Sequence, residues 1–170
     1  MIKPVYIYFY LQERQNQTAI KVVASLLKQL VLSLDHIPQE VTLTYEQSQQ
    51  RGRPDFDGMI KLFQGCAKEF SSVVVILDAF DECDEDETTR VLEMVGACLK
   101  SQIKVYITTR SHLLENVKSN VEQPFCLEIE AKNEDIEMFL TRQLDNKKVT
   151  DSKLRDDIVK AIILKAQGMY

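Results

Sequence analysis

Residues 73–85, VVVILDAFDECDE, decide how this chain is read. Five apolar residues run without alternation into Asp78, as in a strand buried within a parallel sheet. Acids then follow at Asp81, Glu82, Asp84, Glu85, Asp86 and Glu87. A strand of this form fixes one carboxylate at the mouth of a crevice, the placement a Mg²⁺-nucleotide site uses. A second acid a few residues on is placed to orient or deprotonate a water.

Working outward, strand-length apolar runs alternate with segments of helical period. Upstream, VYIYFY at 5–10 is β-branched and aromatic, which predicts a strand with its tyrosines and phenylalanine in the core. The segment TAIKVVASLLKQLVLSL aligns Val23, Leu26, Leu27, Leu30, Val31 and Leu34 on one helical face. Residues 36–54 hold two prolines and Gly52 and read as a loop with a short helical piece. Asp55 is placed to cap a helix carrying Phe56, Met59, Ile60, Phe63, Cys66, Ala67 and Phe70. Downstream, a helix is expected over 86–100, a strand over 104–108 (KVYIT) and a short alternating strand over 126–130 (CLEIE). Two amphipathic helices close the chain, the last stopping before Gly168. The expected class is α/β, a mostly parallel sheet flanked by helices. In such sheets ligands collect at the carboxyl ends of strands, where both Asp78 and Arg110 fall.

Composition narrows the function. The 170 residues are 45% hydrophobic and carry a net charge of −5 without a basic stripe, which argues against nucleic acid as a partner. No apolar run approaches the roughly 20 residues of a membrane span. The four cysteines, Cys66, Cys83, Cys98 and Cys126, form no CxxC pair, so free thiols in a cytoplasmic protein are expected rather than zinc or disulfides. The carboxylates around Cys83 are expected to raise its pKa. His36 and His112 lack partners at catalytic spacing.

The segment VVVILDAFDECDE resembles the Walker B region of NACHT-type signalling NTPases (the STAND class), most closely their fungal and nephrocystin-like branch. The order of "SLLKQL" before it, and of "KVYITTR", "IEAKNEDIEMFL" and "ILKAQGMY" after it, is similar to that family too. The resemblance implies a three-layer, P-loop-NTPase-like sheet. It implies Asp78 as the Mg²⁺-associated carboxylate, Asp81 or Glu82 as the water-activating acid, and Arg110 as a sensor arginine reaching the nucleotide phosphates. Where the family commonly has proline after that arginine, this chain has Ser111. The same residues also admit a plain reading: Arg110 paired with a nearby acid, and residues 84–87 a solvated helix start favoured by the helix dipole.

The phosphate-binding loop does not occur. A Walker A loop requires GxxxxGK[ST], and none of the five glycines is followed by lysine. The expectation is therefore a partial domain without the first strand, with residues 1–130 as the core and 131–170 as a helical segment of the same domain. In the resembled strand order that strand would lie between 104–108 and 126–130, which must then pair directly or leave an apolar edge. No cofactor is expected for the chain alone, against Mg²⁺ with ATP or GTP in an intact family domain. The expected function is a non-hydrolysing module acting through protein partners or self-association. One alternative is an ATP- or GTP-hydrolysing domain whose phosphate loop comes from elsewhere. Another is a phospho-receiver-like domain, which Leu11-Gln12 disfavours because it lacks the required acidic pair.

Overall fold

The computed structural model describes residues 3–12, 17–129 and 132–166. They divide into two compact units, Met1–Pro124 and Phe125–Tyr170.

In the first unit, β1 (Pro4–Tyr10), β2 (Ser72–Asp78) and β3 (Lys104–Ile107) form a parallel sheet in the order β1-β2-β3. This is the expected α/β arrangement of a parallel sheet flanked by helices, with no counterpart of the first strand among the described residues. Between β1 and β2 lie α1 (Ala19–Leu32), α2 (Gln39–Arg51) and α3 (Phe56–Ala67), and α4 (Glu85–Lys100) links β2 to β3. Both connections step the same way across the sheet, so right-handed crossovers bring α1, α3 and α4 to one face. There Ile7, Val75 and Leu77 of the sheet are sealed with Val22, Val23, Leu26 and Leu30 of α1, Phe63 and Cys66 of α3, and Val91, Leu92 and Val95 of α4. Each fully buried aliphatic side chain contributes about 1.5–3 kcal/mol, so this face carries the stability of the unit.

Register sets the opposite face. Across the sheet Tyr6 pairs with Val74 and Val74 with Lys104, Tyr8 with Ile76 and Ile76 with Tyr106, and Tyr10 with Asp78. The β1 tyrosines expected in the core are instead solvent-exposed: Tyr6 is 70%, Tyr8 65% and Tyr10 44% accessible. Alternation explains the difference, because Val5, Ile7 and Phe9 take the packed side and leave the even positions outward.

The outer edge of β1 is closed by a side chain. Gln29 of α1 accepts from the Tyr8 N–H at 3.1 Å and donates to the Tyr8 carbonyl at 2.8 Å, as a neighbouring strand would. No strand pairs with the outer edge of β3 among the described residues. The strand expected over 126–130 is not formed. Cys126 to Ile129 have no regular structure, and Glu130 lies outside the described residues. An alternating pattern needs a neighbouring strand to satisfy its backbone, and among the described residues none pairs with Cys126 to Ile129.

The loop expected over 36–54 is mostly helix. α2 spans 13 residues and ends at Gly52, whose φ of 85° suits only glycine well. It buries none of its own residues, which is why apolar periodicity misses it. Its Glu40 carboxylate lies across Gly65 of α3, where a Cβ would collide with it. After β3, a 3-10 turn (Ser111–Leu113) leads into the short α5 (Leu114–Asn120). The second unit contains α6 (Asn133–Asn146) and α7 (Ser152–Ala166). Arg155 staples their connection, pairing with Asp145 at 2.6 Å and donating to the Val149 carbonyl at 2.9 Å.

Candidate functional site at the carboxyl end of the sheet

Asp78 is the last residue of β2 and its carboxylate is exposed, as the sequence predicts for a strand-end acid. The next residue, Ala79, takes a left-handed conformation with φ 56° and ψ 50°. A non-glycine residue there costs on the order of 1–2 kcal/mol, so neighbouring contacts must hold it. Thr108, just past β3, supplies them. Its hydroxyl accepts from the Ala79 N–H at 2.9 Å and donates to Asp78 Oδ1. Its carbonyl accepts from the Phe80 N–H at 2.9 Å, and its N–H donates to Leu77 at 3.0 Å. Phe80, fully buried, anchors the 3-10 turn Phe80–Glu82 that carries both candidate water-activating acids.

Asp81 and Glu82 then part ways. Asp81 Oδ1 accepts from the Arg110 N–H at 3.3 Å, and its Oδ2 lies 3.2 Å from Arg110 Nε. The Asp81 side chain is only 8% accessible, whereas that of Arg110 is 65% accessible. The arginine expected to reach phosphate is therefore held by an acid of its own chain. Glu82 is half-buried in the same turn. Asp78, Asp81, Thr108 and Arg110 form one cluster joining the ends of β2 and β3. Thr108 is the member that sequence reasoning missed. The register of Leu77 with Ile107 places it beside Asp78, and pairing the two strands on paper would have found it.

The donor set fits Mg²⁺ only in part. Among the described residues no group of three or more His, Cys, Asp or Glu is placed to hold a metal ion. Asp78 is a single exposed carboxylate, sufficient for Mg²⁺ only where phosphate oxygens and water complete the octahedron.

The second half of the acidic run is separate. Glu85 and Asp86 are exposed in the first turn of α4, where the helix dipole favours them. Glu87 reaches back across the chain, its Oε2 accepting from the Ala19 N–H at 2.7 Å. It caps α1, whose own Thr18 makes no side-chain cap. Cys83, between the two groups, has its pKa raised first by burial. The Asp84 and Glu87 charges add to this, while a hydrogen bond with Thr88 opposes it. The carboxylates thus act in the expected direction, with burial ahead of them. Burial also pushes Cys98 up to about 12, and burial followed by the Glu40 carboxylate does the same for Cys66. His36 and His112 are exposed. No described helix is long and apolar enough to cross a membrane.

No curated protein and no solved structure matches the chain. One family does match, over residues 2–110, and its span takes in β1, β2, β3, the carboxylates and Arg110. The chain belongs to that family, described as Nephrocystin 3, N-terminal.

Proposed function

We propose that this chain is the acid-and-arginine part of a NACHT-type signalling NTPase domain, and that alone it acts through protein contacts rather than by nucleotide hydrolysis. One observation carries the reading. Asp78 ends β2 and Arg110 lies just past the adjacent parallel β3, Asp78 bonded to Thr108 and Arg110 paired with Asp81. That is where open α/β sheets bind ligands. Asp78 is the residue that would share Mg²⁺ with phosphate, Arg110 the residue that would face the phosphates, and Glu82 the acid nearest a water-activating role. The 170 residues contain no GxxxxGK[ST], whose N–H groups and lysine supply most phosphate contacts in this class. Several charge-assisted hydrogen bonds at about 1.5–3 kcal/mol each separate a micromolar site from one beyond millimolar. The partners are proteins in the cytoplasm, including further copies of the chain. The test is phosphate release from Mg·ATP and Mg·GTP. Release stays at the buffer rate; turnover abolished by Glu82→Gln overturns the proposal.

The outer edge of β3, with which no strand pairs among the described residues, favours a second reading, in which another polypeptide segment supplies a strand and the phosphate loop. In that case Asp78 and Arg110 become a working half-site.

A further inference from the structure

We infer that Asp81 is the positioning residue of Arg110: it presents the guanidinium to an oxyanion and does not itself activate water. The inference rests on the reading of Arg110 as phosphate-facing and assigns Asp81 a different task within that site. Asp81 grips Arg110 at two points, the backbone N–H with one carboxylate oxygen and Nε with the other. An acid used as a base needs an oxygen open to the water it attacks through. The Asp81 side chain is 8% accessible and both its oxygens are engaged.

The arginine has donors to spare. A guanidinium carries five N–H groups in a planar fork, and Asp81 is within ion-pair distance of Nε. The side chain is 65% accessible, and the edge carrying Nη1 and Nη2 can take two oxygens of one phosphate. A hydrogen bond at the Arg110 backbone N–H and a carboxylate 3.2 Å from Nε restrict where the fork can sit, so less rotamer entropy is lost when the anion arrives. Competition, with Asp81 occupying the arginine until phosphate displaces it, is the opposite design. It is disfavoured because displacement strands a nearly buried carboxylate on one backbone N–H.

The two designs predict opposite signs. The full chain, labelled with ¹⁵N in arginine, is titrated with inorganic pyrophosphate while the Arg110 Nε–Hε resonance is followed. In the wild type this resonance is sharp and shifts with pyrophosphate at millimolar concentration. Asp81→Asn broadens it and weakens pyrophosphate binding at least threefold, whereas Asp81→Glu, which keeps the charge, restores part of the effect. Arg110→Lys binds more weakly than wild type, because a point charge has no plane to set. Unchanged or tighter pyrophosphate binding in Asp81→Asn overturns the positioning role while leaving Arg110 phosphate-facing. A wild-type Nε resonance that depends on Asp81 yet ignores pyrophosphate overturns the phosphate-facing reading itself, and the inference with it.

Discussion

Asp78 and Asp81 face a hydroxyl and a guanidinium across the end of the sheet, whereas Glu85 and Asp86, a few residues on, face water. Both groups belong to one acidic stretch of the sequence. They differ in what stands opposite. β3 delivers Thr108 and Arg110 to the first pair, and nothing comparable reaches the second among the described residues. Glu87 is the exception within the second group, because α1 presents an uncapped N-terminus to it. The partner, supplied from a distant part of the chain, is what turns a carboxylate from a solubilising charge into a connecting one.

Substitutions separate the groups by size of effect. Asp81→Ala removes both holds on Arg110 and is expected to destabilise the fold by about 2 kcal/mol, read from urea unfolding. An equal loss from Glu85→Ala would erase the comparison. Buried thiols bring a pH dependence that needs no acid. The Cys98 pKa is raised from 9.0 to about 12 in the fold, so its contribution to stability is complete below pH 9. It falls between pH 9 and 12 by about 1.4 kcal/mol per pH unit. Cys98→Ala should make that decline shallower while Cys66, raised likewise, keeps its own share, and an unchanged slope would show that Cys98 does not contribute. Glu87→Gln weakens the cap on α1 and should cost about 1 kcal/mol, with faster hydrogen exchange confined to the first turn of α1. Asp84→Asn should change the alkylation rate of Cys83 less than threefold, because burial leads the shift there; a tenfold acceleration would restore the carboxylates as the main cause. Glu85→Gln and Asp86→Asn should each stay within about 0.5 kcal/mol of wild type.

Much of this was legible in the sequence where one segment carried its own signal. The run 73–77 ending in Asp78, the α1 periodicity as far as Val31 and the Asp55 cap, which accepts from the Gly58 N–H at 2.8 Å, are local signals that match the structure, while Leu34 falls beyond the helix end. What failed depended on neighbours. CLEIE has the pattern of a strand but no strand beside it, and the tyrosines of β1 have core chemistry but lie on the uncovered face. α2 has no apolar stripe to announce it, because Glu40 rather than a buried side chain meets α3. The candidate residues were found from their spacing. Their wiring was not, since Asp81 with Arg110 and Asp78 with Thr108 are pairings across about 30 positions that only strand register brings together.

These 170 residues are not expected to grip nucleotide unaided. Isothermal titration of the chain with Mg·ATP and with Mg·GTP should give no saturable heat at ligand concentrations up to about 1 mM, the range in which only about 4 kcal/mol of binding is at stake. A saturating isotherm in the micromolar range, lost in Asp78→Ala and Arg110→Ala, would contradict it.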